Sequence, residues 1–135
     1  MQKSRNFKKR YLLAFVLVVL SACAFWQIIH FSPFEEDLIR KIKINSATEL
    51  YVTESSAGAT TGFVYKYYLV PAGVTDSDFQ QGIEKRYFSF LSTSDKNAQT
   101  SIQGNAVYLT VKGDIWHFSN LTNFATTIHL TLSPY

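Results

Sequence analysis

The sequence predicts a mainly β protein: an N-terminal transmembrane helix, then a small antiparallel β-sandwich or barrel-like domain with one or two short helices. Three observations predict it. Tyr11–Phe31 is an apolar run with no charged residue. From Lys41 onward the apolar period changes from helical to two, the period of a half-buried strand. Turn-forming clusters (Asn45-Ser46-Ala47, Pro71-Ala72-Gly73, Gly104-Asn105, Gly113-Asp114) then cut that stretch into short segments, the spacing of an all-β domain.

The apolar run is long enough to span a bilayer: 21 residues at a helical rise of about 1.5 Å reach about 31 Å. Twelve of its residues are Leu, Ile, Val or Phe. Together they favour insertion by about 4–7 kcal/mol. Gln27 and His30 sit toward one end, and Tyr11 and Trp26 lie where interfacial aromatics are favoured. Lys3, Arg5, Lys8, Lys9 and Arg10 precede the run, whereas Glu35, Glu36 and Asp37 follow it. Positive charge is retained on the cytoplasmic side, so residues 1–10 form a cytoplasmic basic tip and the chain from residue 32 onward is exported. Leu20-Ser21-Ala22-Cys23 also fits a lipobox, in which a signal peptide is cut before a lipid-bearing cysteine. Under that alternative Cys23 is the lipid attachment site. Ala24-Phe25-Trp26 and Ile28-Ile29 carry the apolar run past the cysteine, which favours an uncleaved signal anchor over residues 11–31.

Ser32-Pro33-Phe34-Glu35 has the composition of a helix start: a capping serine, a proline at the first helical position and a glutamate closing a capping box. The i,i+4 pairs Glu36/Arg40 and Asp37/Lys41 extend it into a short helix or stalk over residues 32–40. Residues 41–135 then form the β domain. Strands are expected at Thr48–Thr53, Thr61–Val70, Glu84–Ser92, Thr100–Gln103, Ala106–Lys112, Ile115–Phe118 and Phe124–Leu132. A short helical turn capped by Thr75, with Asp78 three residues on, is expected between the second and third. Gly104-Asn105 suits a two-residue hairpin loop. Thr61–Val70 is apolar on both faces: Phe63, Tyr65, Tyr67 and Leu69 on one, Val64, Tyr68 and Val70 on the other. Such a strand is covered on two sides, either by layers of its own domain or by a partner. Val64, Tyr68 and Val70 are therefore the candidate partner surface.

Charge and cysteine content exclude several classes of function. Of thirteen Lys and Arg, five lie in the basic tip; the remaining eight face ten Asp and Glu in the exported part. Without a basic run there, no nucleic-acid partner is expected. Cys23 is the single cysteine, so the exported domain has neither disulfide nor thiolate metal site. His117 and His129 lie on separate strands with no carboxylate cluster beside them, and Asp76 and Asp78 lack the further oxygen ligands of a calcium loop. No Gly-x-Ser-x-Gly, Ser-x-x-Lys or phosphate-binding glycine loop occurs. No catalytic, cofactor or metal site is expected. The aromatic set Phe63, Tyr65, Tyr67, Tyr68, Tyr87, Phe88, Phe90, Trp116 and Phe118 is the one feature above background, as core or as a protein-binding face.

A basic tip, one anchor with Leu20–Cys23 inside it and a domain of about a hundred residues resemble the layout of small bacterial envelope proteins. The resemblance implies a bacterial inner-membrane protein with a periplasmic domain, some proteins of this layout being immunity proteins. The expected function is non-enzymatic: a binding or structural role whose partners are the lipid bilayer and another envelope protein. An envelope hydrolase is the remaining alternative.

Overall fold

A computed structural model describes residues 3–30, 36–56, 62–121 and 124–134. The chain divides into two units, an N-terminal helix and a β domain. Helix α1 (Lys3–His30) contains, over Lys8–Ile29, a stretch long and apolar enough to cross a membrane. Its side chains in that stretch are exposed throughout.

The β domain contains β1 (Glu36–Lys43), β2 (Thr48–Ser56), β3 (Phe63–Pro71), α2 (Asp76–Gly82), β4 (Leu91–Thr93), β5 (Gln99–Gln103), β6 (Ala106–Val111), β7 (Ile115–Phe118) and β8 (Thr127–Leu132). One sheet has the order β1-β2-β3-β4-β7 and is antiparallel throughout. The other has the order β5-β6-β8. In it β6 pairs β8 in parallel, because β7 crosses to the first sheet between them and the chain returns in the direction it left.

The apolar period of the strands places the core. Leu50 and Val52 of β2, Tyr65, Tyr67 and Leu69 of β3, and Leu91 of β4 meet Val107, Leu109, Val111 and Ile128 of the second sheet. On the other face of the first sheet, Tyr51, Tyr68 and Val70 are closed over by Phe79 of α2. The Phe79 ring is edge-on to Tyr51 and Tyr68, with centroids at 4.8 and 5.3 Å. Thr75 caps α2, its hydroxyl accepting from the Asp78 amide, as expected from the sequence. Turn chemistry also holds. Gly104 alone carries positive φ in the β5–β6 loop, the pattern of a type II′ hairpin. Gly73, at φ 87°, occupies the position of the Pro71–Val74 turn that demands a left-handed residue.

Two expectations are corrected. Residues 36–40 of the expected stalk helix are strand β1, Ser32–Glu35 lying outside the described residues. The i,i+4 charges serve other partners: Glu36 binds Lys66 and Lys41 binds Asp76. A bulge at Ile39 hid the strand's period, since it turns Leu38 toward Phe79 and Ile42 toward the opposite core. The strand expected over Glu84–Ser92 is reduced to Leu91–Thr93, because residues 84–87 form a tight turn.

Candidate functional site

The outer face of the first sheet changes character along β3. Val70 and Tyr68 lie beneath α2, and Lys66 lies beyond its cover. Lys66 pairs in register with Thr53 on β2 and Ser92 on β4, and Ser92 pairs with His117 on β7. A polar row therefore crosses four strands at the end of the α2 cluster. Its centre is the carboxylate of Glu36, whose side chain is 7% exposed. Tyr68 Oη donates to Glu36 Oε2 at 2.8 Å, Thr53 Oγ1 donates to the same oxygen at 3.1 Å, and Lys66 Nζ donates to Oε1. Three donors compensate a carboxylate that burial would otherwise penalise by several kcal/mol. Burial holds the Tyr68 phenol well above its ordinary pKa, and the adjacent Glu36 charge adds to the effect. Tyr68 therefore remains a donor. Burial also pushes Tyr65, hydrogen-bonded to Glu54, up to about 12.

Beside this row the Gly82–Tyr87 turn builds a cleft. The Gly82 carbonyl accepts from the amides of Lys85, Arg86 and Tyr87. A Cβ on Gly82 would lie 2.6 Å from the Tyr87 ring, so only glycine lets the ring seat there. Glu84 adopts φ 60°, a left-handed conformation costing a non-glycine residue about 1 kcal/mol. Its carboxylate stands 3.7 Å from Lys66 Nζ. Lys66, Tyr68, Glu84, Tyr87, Phe88, Ser89 and His117 enclose about 360 Å³. A second cleft of about 300 Å³ lies on the other side of Phe88, lined among others by Arg86, Phe90, Leu121 and Phe124. Phe88, 70% exposed, is the ridge between them, and Leu121, 92% exposed, overhangs the second.

The aromatic set thus separates into two groups, with Tyr87 half-buried between them. Tyr65, Tyr67, Tyr68 and Phe90 are buried; Phe63, Phe88, Trp116 and Phe118 are exposed. Tyr68 and Val70 of the expected partner surface are covered by α2, and Val64 alone stays half-exposed at the open end of β3. This corrects the location of the candidate surface. The second apolar face of β3 needed a cover, and the domain supplies it from Phe79. Cys23 is exposed on α1. His129 stacks on Tyr108 at 4.5 Å, in the other sheet from His117. Asp76 and Asp78 serve Lys41 and the α2 cap.

Chemically, the clefts offer ring faces and one opposed charge pair. Ser92 and His117 are neighbours in register, yet no hydrogen bond joins them, and no group of three His, Cys, Asp or Glu converges among the described residues. Phe88 stood in the aromatic set named from sequence, where an apparent strand alternation gave no sign of its exposure; Leu121 was missed. Leu121 carried a readable signal, a lone large apolar residue in the polar segment Ser119–Asn123. No protein-family model, curated protein or solved structure matches the chain.

The tyrosine hydroxyls make a paired prediction. Tyr68→Phe removes a donor from a buried carboxylate and should lower stability by about 1.5–3 kcal/mol. The Tyr67 hydroxyl is buried with no hydrogen-bond partner among the described residues, so Tyr67→Phe should be neutral or stabilising. Urea denaturation of the two variants checks both signs.

Proposed function

We propose that the chain is a single-pass anchored protein of a bacterial inner membrane whose periplasmic β domain holds or blocks another envelope protein, without enzymatic activity. The observation that carries the reading is the exposure of Phe88 between two clefts, the second of them also lined by the exposed Leu121. Exposed aromatic ridges flanked by concave, partly polar surface are favoured as protein-binding anchors. The basic tip and the acidic residues that follow the helix support an exported domain. A net acidic balance from residue 32 onward gives nucleic acid no electrostatic footprint. An immunity role toward a toxin is one form of this binding activity.

The lipoprotein alternative makes Cys23 the first residue of a lipidated mature chain. Against it, α1 runs unbroken from Lys3 to His30, where a lipoprotein has a flexible polar tether. Mass spectrometry of the protein extracted from its own membranes should return the intact chain without a lipid adduct. A species beginning at a lipid-modified Cys23 would replace the anchor with the lipoprotein.

Truncating the ridge tests the binding role. Phe88→Ala removes an exposed side chain and should change stability by no more than about 0.5 kcal/mol. It should weaken association with the partner recovered by pull-down by about 2 kcal/mol, as an interface anchor does. His117→Ala should leave that affinity within about twofold, the behaviour of residues outside a hot spot. Titration of the purified partner against the three proteins measures both. Unchanged affinity for Phe88→Ala in a folded protein removes the ridge from the interface.

A further inference from the structure

Among the described residues four strands lie at sheet edges, and three have features that discourage pairing with another strand. β1 carries five charged residues in eight and a bulge at Ile39. β7 has four residues and a bulge at Trp116. β5 is also uncharged and regular, but of its five residues only Ile102 is a large apolar side chain, so it offers little apolar surface to a partner strand. The fourth, β8, reads Thr-Ile-His-Leu-Thr-Leu, with no charge, proline or bulge. Uncharged, regular edges of high β-propensity are templates for another strand.

The hydrogen-bond phase of β8 is fixed at both ends. The Thr127 amide donates to the Asn105 carbonyl at 3.2 Å and the Ser133 amide donates to the Val111 carbonyl at 2.9 Å, both toward β6. Strand alternation then directs the amides and carbonyls of Ile128, Leu130 and Leu132 to the open side, where no strand pairs among the described residues. Leu132 is 64% exposed although its side chain lies on the core-facing side of the sheet.

We infer that β8 is a self-association edge, its occupant the β8 of a second copy of this chain, paired antiparallel about Leu130. This register sets Leu130 opposite itself and Ile128 opposite Leu132, so the six outward-facing amides and carbonyls of each copy bond in closely spaced pairs. It also lays the overhanging Leu132 beside Ile128 of the other copy and extends the core across the seam. Charge does not oppose a like partner: β8 carries no Asp, Glu, Lys or Arg to repel its own copy, whereas β1 carries five. The area is small. Five residue pairs bury well under the roughly 1,200 Å² of a stable interface, so the pairing needs the high effective concentration of two chains anchored in one membrane. On this point the inference rests on the anchored reading above.

Register-specific cross-linking of the full-length chain in lipid vesicles tests it. Cys23→Ser removes the native thiol. His129→Cys and Thr131→Cys are each introduced on that background; both native residues are exposed and lie opposite one another in the inferred register, at a separation suited to a disulfide. Mild oxidation of vesicles holding both variants should give a cross-linked dimer, and vesicles holding either alone should not. Leu132→Lys, at an exposed site, should lower the yield roughly tenfold while the melting temperature holds. Absence of the mixed dimer in chains that float with the vesicles overturns the inference, and a dimer from His129→Cys alone overturns the register. Chains that fail to float with vesicles overturn the anchored reading, and the membrane-dependent pairing with it.

Discussion

The rest of the domain follows from a strand that cannot tolerate water on either face. β3 places Tyr65, Tyr67 and Leu69 on one side and Tyr68 and Val70 on the other, all buried. A two-layer sandwich covers only one of these faces. The second sheet covers the first with Val107, Leu109, Val111 and Ile128, and α2 covers the second through Phe79. At about 25 cal/mol per Å² of apolar surface, each buried large aromatic contributes several kcal/mol, enough to dictate the layer order. α2 is short, and its placement depends on that requirement more than on helix propensity.

Where α2 ends, the same face must become polar. Lys66 follows Tyr68 on that face, and its ammonium shares the carboxylate of Glu36 with the Tyr68 hydroxyl. The Glu36 side chain reaches this position because the Ile39 bulge rotates the start of β1 relative to its end. The polar row, the left-handed Glu84 and the glycine beneath Tyr87 then set the walls of the first cleft. Phe88 is displayed at its rim by the turn that shortens the expected strand. The ridge is thus a consequence of how α2 is connected back to β4.

Particular residues show how much of this was legible. The two-sided apolarity of Thr61–Val70 announced a central strand, and Thr75, Gly104 and the alternation of Phe124–Leu132 placed their elements within a few residues. β1 was misread because charges at i,i+4 and a capping signature satisfy helix rules, while its strand period is broken by the bulge. The parallel β6–β8 pair was not readable, since nothing local records that β7 belongs to the other sheet. The candidate site was least legible. Whether Tyr68 or Phe88 is exposed depends on where α2 docks, and a large aromatic ring suits a core or an interface equally.

Native-state hydrogen exchange on the full-length chain tests most directly whether two-sided burial of β3 governs the fold. Amides that open only on global unfolding mark the elements on which everything else rests. The account predicts that hydrogen-bonded amides within residues 65–70 are the slowest to exchange in the β domain, with those of α2 faster. Exchange of the β3 amides at rates typical of the edge strands, with the slowest protons in β6 or β8, would contradict it.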